Sequence, residues 1–402
     1  MKRHLIGIGG VGMSALATAM ARLGDEVTGA DRTLGTPNIR FLESLGVRCF
    51  PDDGSGIDAA TDEVVVSTAI EDSNPGLVKA KSLGIPVIHR AKALSRTLSR
   101  FKLVAVVGTC GKSTVTAMLG HVLAECGLDP FCVNGANVPG WDGAVRFGRG
   151  EYAVAEVDES DKSLVAFSPY AAVVTNASAD HYSKEEMDEV FDAFVKDAPG
   201  PVIDGRRTDY GLVDCSLPGR HNRQNAALAL AMAKALGCDE AKARDALMTF
   251  RGVERRLQRH TPPGALPAVY DDYAHNPEKL RAMWTTLAQA HPRGICVVWR
   301  PHGYAPLRKM MDALAAMFNE TVRPCDKLLL LPVYDAGGTT DRSINSDVLL
   351  GKLPPGKAVA VADLDAAYGW MSAHCSEFDA FATCGARDPG LQLLASRLAG
   401  GF

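Results

Sequence analysis

Residues Gly108-Thr109-Cys110-Gly111-Lys112-Ser113-Thr114 place two glycines, an amine and three hydroxyls within one short stretch. The apolar run 103–107 precedes them and the periodic run 115–126 follows, which predicts a strand, a glycine turn and a helix N-terminus. Backbone N–H groups of such a turn converge, and the helix dipole adds partial positive charge, so the turn suits an anion. Lys112 can reach β- or γ-phosphate oxygens, and the hydroxyl of Ser113 or Thr114 can ligate Mg²⁺. The general pattern G-x-x-x-x-G-K-[ST] has glycine where this chain has Val106, so the loop is the shortened form G-T-x-G-K-[ST]. Nucleotide binding is the reading. An ordinary strand–turn–helix with a solvated lysine is the alternative.

A second glycine constellation opens the chain. The run 4–6 enters Gly7-Ile8-Gly9-Gly10-Val11-Gly12, a helical pattern continues to 23, and the strand pattern 26–31 ends in Asp31. Glycines at this spacing admit a diphosphate, and Asp31 can accept from ribose hydroxyls or serve as a turn residue. Any nucleotide diphosphate fits the same electrostatics, so the fingerprint does not single out NAD; an NAD(P)-binding oxidoreductase or sensor remains an alternative. Ligands of such sheets bind at the carboxyl ends of strands. Ser67 and Ala69 lie at the end of the strand pattern 63–70, and His89 and Arg90 follow the pattern 85–88, where the last two can bind phosphate or carboxylate or stand solvated.

Further polar positions interrupt apolar runs. Glu156 ends the run 152–156, where a carboxylate is costly unless it binds a cation or forms a buried salt bridge. Asp180 and His181 follow the strand pattern 171–176. Asn222 and Asn225 are three apart at the start of an alanine-rich helical pattern, so both can face one ligand, with adenine recognition and helix capping as the two readings. In the last third, strand patterns at 268–273, 295–299 and 327–331 alternate with helical ones. The turn after the first carries Asp272 and His275, the second ends at Arg300-Pro301-His302, and Gly337-Gly338 after the third reads as a turn or a substrate loop.

These elements must be held by α/β sheets. A chain of 402 residues has room for two or three domains. With 47% hydrophobic and 22% charged residues the composition is that of a soluble globular protein. The net charge of −4 supplies no field for nucleic acid. Ten cysteines without a C-x-x-C point to a reducing compartment rather than a zinc knuckle or disulfide framework. The first residues begin a strand at once, which reads as no signal peptide, and no run is long enough for a transmembrane helix. A cytoplasmic protein with no nucleic-acid partner and no membrane insertion is expected.

Residues 5–17, 106–114, 156–161, 176–181, 218–226, 252–256 and 271–277 together resemble the Mur ligases, the ATP-dependent amide-forming enzymes of peptidoglycan synthesis, and most closely the branch that adds L-alanine to UDP-N-acetylmuramate. The resemblance implies three domains: a Rossmann-like UDP-sugar domain at 1–100, a P-loop-type ATPase domain at 101–249 and a Rossmann-like domain at 250–402 that binds the amino acid and closes on ATP. It implies ATP and Mg²⁺, with a carboxylate activated as an acyl phosphate and then attacked by the amine. Family positions put ATP on Gly108, Thr109, Cys110, Gly111, Lys112, Ser113, Thr114, Asn222, Asn225, Arg256 and Asp272. Magnesium falls to Ser113, Thr114, Glu156 and His181. The UDP-sugar falls to Gly9, Gly10, Val11, Gly12, Asp31, Ser67, Ala69 and Arg90. Lys112, Glu156, His181 and His275 stand at catalytic positions. Two departures concern the acceptor: Asn276 replaces a family histidine, and Gly303 and Pro306 replace arginines, with Arg308 displaced from them. A ligase that joins a peptide to the UDP-sugar in murein recycling is the alternative within the family.

Overall fold

Continuous apolar runs separated by amphipathic helices make strands that are buried on both faces, and these assemble into three sheets. The computed structural model describes residues 1–158, 163–177, 184–335 and 341–401. The first sheet holds β1 (Lys2–Ile6), β2 (Glu26–Asp31), β3 (Arg48–Pro51), β4 (Glu63–Val66) and β5 (Val87–His89), all parallel, in the order β3-β2-β1-β4-β5. The second holds β6 (Lys102–Val107), β7 (Phe131–Val133), β8 (Val145–Arg146), β9 (Tyr152–Glu156), β10 (Ala171–Val174) and β11 (Val202–Asp204), in the order β11-β10-β6-β9-β7-β8, with β8 antiparallel to β7. The third holds β12 (Gln258–Arg259), β13 (Ala268–Asp272), β14 (Ile295–Trp299), β15 (Lys327–Leu330), β16 (Ala358–Ala360) and β17 (Ala380–Cys384), in the order β12-β13-β17-β14-β15-β16, with β12 antiparallel to β13. The expected α/β class and mostly parallel sheets are what the chain adopts.

Both glycine loops leave interior strands. β1 lies between β2 and β4, and β6 lies between β10 and β9. The connections diverge to either side at these strands, which opens a crevice at their carboxyl ends. The helices Val11–Arg22 and Lys112–Glu125 begin at Gly10 and Gly111, and neither has a side chain capping its first amides. Elsewhere Thr36, Asn74, Asp239, Asn276, Asn345 and Asp363 cap helices in the ordinary way.

The chain divides into two compact units, Met1–Val253 and Glu254–Phe402. Within the first, one apolar core runs through Leu16, Met20, Leu94 and Leu98 beside the first sheet and on through Leu103, Phe131 and Phe191 of the second lobe. An Arg22–Asp142 ion pair at 2.5 Å joins the same two lobes. Within the second unit Trp284, Trp299 and Phe318 pack edge to face. The Trp284 indole donates to Asp326 at 2.9 Å. Burial alone would raise the Asp326 carboxyl, but hydrogen bonds from Arg323, Trp284 and the Ile295 amide hold it below its ordinary value. No helix among the described residues is long and apolar enough to cross a membrane.

Candidate active site

The loop 108–114 needs its glycines. Gly111 has φ +85°, and a Cβ there would sit 2.6 Å from Asn225 Oδ1; a Cβ on Gly108, at φ +131°, would collide with Thr175 Oγ1. Val106 is buried inside β6, opposite Glu156, so the turn starts only at Gly108. That is why the shortened pattern is compatible with a loop. Lys112 begins the helix, and its Nζ donates to the Gly108 carbonyl at 2.6 Å and lies 4.0 Å from Asp158 Oδ1. Ser113 and Thr114 occupy the first helical turn, both buried.

Glu156 ends β9 beside the loop strand, half-buried, and its Oε2 accepts the Gly135 N–H at 2.8 Å. It makes no ion pair among the described residues. His181 and Asp180 lie outside the described residues, as do Gly337 and Gly338. Among the described residues no group of three or more His, Cys, Asp or Glu side chains could hold a metal ion. Glu156, Ser113 and Thr114 supply hard oxygen atoms of the kind Mg²⁺ takes.

Asn222 and Asn225 are buried in the first turns of the helix Arg220–Ala235. Asn222 Nδ2 donates to the Pro218 carbonyl at 2.7 Å, and the N-cap is Gly219, so Asn222 is not the cap. Asn225 Nδ2 faces Asn222 Oδ1 at 3.5 Å while its own Oδ1 is aimed at Gly111.

The first loop is built similarly from different parts. Asp31 ends β2, and its carboxylate accepts the Gly9 N–H at 2.9 Å and the Thr33 N–H at 3.0 Å. Asn38 Nδ2 donates to the Gly9 carbonyl at 2.9 Å. A Cβ on Gly12 would lie 2.8 Å from Arg90 Nη1, so that guanidinium sits against the loop's last glycine. Gly10 and Val11 are exposed at the mouth. Strand β4 stops at Val66, before the expected residue 70, because Ser67 and Ile70 close a turn at 3.2 Å. That turn, which includes Ala69, overhangs the loop: a Cβ on Gly7 would meet the Ile70 side chain at 3.4 Å. Arg90 opens the helix Arg90–Leu98 rather than ending a strand, and His89 Nδ1 accepts the Ala91 N–H at 3.3 Å, which makes His89 a helix cap.

In the second unit Asp272 ends β13. Its two oxygens accept the Leu257 and Ala274 N–H groups, each at 2.7 Å. Burial pushes its carboxyl up to about 6, against the opposing charge of Arg256 and the two amides. Arg256 lies over the Tyr273 ring at 5.0 Å. Its neighbour Arg255 pairs with Asp271 at 2.9 Å. Arg255 and Leu257 both have positive φ, +58° and +47°, which marks a strained turn around Arg256. His275 Nδ1 is 3.0 Å from the Tyr273 carbonyl, which can only accept, so Nδ1 is the donor in this contact. Its ring stands edge-on to His302 at 4.9 Å. Asn276, in place of a family histidine, caps the helix Pro277–Ala290 through the Lys279 N–H at 3.0 Å. Arg308 donates to Asp341 and Ser343.

Three residues that the motifs did not mark, Asn38, Gly135 and Thr175, belong to these loops, as does Asn176, which opens the motif 176–181 but had no role attached to it. Thr175 Oγ1 donates to the Cys110 carbonyl at 2.6 Å, and Asn176 is bonded to both Thr109 and Cys110. The signal available in the sequence was two polar residues directly after an apolar strand.

Two family models match the chain, "Mur ligase family, catalytic domain" over residues 2–102 and "Mur ligase, glutamate ligase domain" over residues 255–387. UDP-N-acetylmuramate–L-alanine ligase of Synechococcus sp. (strain JA-2-3B'a(2-13)) is 35% identical over 382 residues, 83% of this chain and 78% of that protein. The chain belongs to the Mur ligase family. The ligase of the same name from Paenarthrobacter aurescens is 34% identical, over 96% of this chain and 94% of that one. Among solved structures, UDP-N-acetylmuramate–alanine ligase from Thermotoga maritima superposes with a TM-score of 0.83 at 25% identity, covering 100% of this chain and 98% of that one. A murein peptide ligase from Psychrobacter arcticus, 20% identical with a TM-score of 0.67 over 100% of this chain and 98% of that one, shares the fold. This Mur ligase is thus an ATP-dependent amide-forming enzyme of peptidoglycan precursor synthesis.

Proposed function

We propose that this Mur ligase joins the lactoyl carboxylate of UDP-N-acetylmuramate to the amino group of L-alanine at the expense of ATP. The observation that carries the reading is the pair of open glycine loops at the carboxyl ends of β1 and β6, each followed by a helix whose first amides no side chain caps, in a chain whose relatives bear that activity's name. Residues 1–100 take the UDP-sugar, 101–249 take ATP, and 250–402 supply the groups for the amino acid and the nucleotide ribose.

In the first lobe Gly9, Gly10, Val11 and Gly12 receive the diphosphate, and Arg90 offsets its charge. Asp31 holds Gly9 in place, and each of its oxygens keeps a second lone pair for a ribose hydroxyl; Ser67 and Ala69 border the sugar. In the second, Gly108, Thr109, Cys110 and Gly111 surround the phosphates of ATP, with Asn222 and Asn225 on the adenine side. Lys112 must leave the Gly108 carbonyl to reach the terminal phosphate, where its charge reduces the repulsion between a triphosphate and the incoming carboxylate. Ser113 or Thr114, Glu156 and His181 would hold Mg²⁺, which supplies further charge neutralisation. The carboxylate oxygen bonds to the γ-phosphorus and ADP leaves. The amine nitrogen then bonds to the carbonyl carbon, phosphate leaves, and the nitrogen loses a proton. His275, its ring oriented by the Nδ1 bond to the Tyr273 carbonyl, is the group proposed near that amine. Arg256 and Asp272 serve the nucleotide, Asp272 through its ribose. Nucleotide substrates of this kind place the enzyme in the cytoplasm.

A phosphate-release screen with UDP-N-acetylmuramate, ATP and Mg²⁺ against each amino acid and a free tripeptide tests this. L-Alanine is expected to give the highest turnover. Release with the tripeptide alone would move the enzyme to peptide recycling, and tight NAD(H) binding without ATP binding would remove the ligase reading.

A further inference from the structure

We infer that Asn176 is a positioning residue for the phosphate loop, an inference that rests on the ATP-ligase reading above. Asn176 immediately follows the residue after β10, and the register Val174↔Val107 brings it level with the loop. Its Oδ1 accepts the Cys110 N–H at 2.9 Å and the Thr109 hydroxyl at 2.7 Å. Its Nδ2 donates to the Cys110 carbonyl at 2.9 Å, and its main-chain carbonyl accepts the Thr109 N–H at 3.2 Å. One side chain therefore grips both polar groups of residue 110. The opposite partners at its two ends also fix which atom is oxygen and which is nitrogen.

A loop with two glycines is expensive to order, and a site that must stabilise charge works best when ordered beforehand. Asn176 supplies that order without charge. It orients the loop by satisfying residue 110 itself, so the amides at the helix start are the ones directed at phosphate. Only a carboxamide offers a donor and an acceptor in one plane at this length. An aspartate has the same shape, but it puts lone pairs against the Cys110 carbonyl and a negative charge beside the polyphosphate.

The test uses the full chain with Asn176→Asp and Asn176→Ala, melting curves, and calorimetric titration with ADP plus Mg²⁺ and, separately, with UDP-N-acetylmuramate. ADP affinity is expected to fall by about 10- to 100-fold in Asn176→Asp and by less in Asn176→Ala. UDP-sugar affinity should be unchanged, and KM for ATP should rise more than kcat falls. Wild-type ADP affinity in both variants would overturn the inference, as would an equal loss of affinity for both ligands. If neither variant folds, Thr109→Val decides: weaker ADP binding with an unchanged melting temperature supports the inference, and unchanged binding overturns it. A wild-type chain that binds no ADP would remove the ligase reading itself, whereas wild-type binding with unaffected variants removes only the role of Asn176.

Discussion

The two glycine loops share a plan and differ in where they keep charge. In the first, a carboxylate holds the Gly9 amide, a carboxamide holds the Gly9 carbonyl, and the cation is Arg90, brought in from beyond β5. In the second, a single carboxamide holds both groups of residue 110, and the cation is the loop's own Lys112, folded back on Gly108. An anion can be part of a loop that only binds a diphosphate, because a nearby guanidinium offsets it. A loop that hands on a phosphoryl group gains from a neutral scaffold and a cation on a flexible stem that can follow developing charge. Under the proposed function the contrast is between holding and transferring.

The largest effect should come from the transferring cation. Lys112→Ala is expected to lower kcat/KM by about 10³-fold or more in a coupled ADP-release assay, with UDP-sugar binding intact. Equal damage to UDP-sugar binding would erase the distinction. Gly111→Ala, which forces a side chain into a left-handed backbone against Asn225, should weaken ADP binding by about 10- to 100-fold in titration calorimetry. Next comes the holding loop. Arg90→Met should raise KM for the UDP-sugar by about 10- to 100-fold and leave KM for ATP alone, as initial-rate kinetics would show. Gly12→Ala should act in the same direction but more weakly, since the new methyl meets the movable end of Arg90 rather than backbone.

The smallest effect concerns acid. The strand that feeds the first loop carries buried His4, whose pKa burial lowers from 6.5 to about 4, whereas β6 carries no titratable group among its buried residues. The unfolded chain protonates this imidazole near pH 6.5 and the folded one does not, so its contribution is complete above that pH. It is lost as pH falls toward 4, by up to about 3 kcal/mol. Melting temperatures between pH 7 and pH 5 should therefore decline less steeply in His4→Gln than in the wild type. An unaltered slope would show that His4 is not the titrating group.

Most of the architecture was legible because buried parallel strands read as continuous apolar runs and their helices as periodic ones. The errors fall where side chains bond to backbone. His89, read as an anion ligand or a solvated strand end, caps a helix. Glycine and lysine spacing marked both loops, because torsion and charge demand those residue types. Asn38 left no local pattern, Thr175 only a polar residue at the end of an apolar run, and Asn176 opened the motif 176–181 with no role attached. Asn176 is 66 residues from its partner, and sheet register alone brings them together.

Leu94 and Leu98 of the first lobe share one apolar core with Leu103 and Phe131 of the second. Cutting the chain at 100/101 would leave both halves with a bare oily face, so the first hundred residues are not an exchangeable cassette. Swapping that segment for a relative's would have to carry its half of the seam with it. The spacing between the two glycine loops is then a property of one solid block, inherited from how its interior is filled rather than set by a hinge.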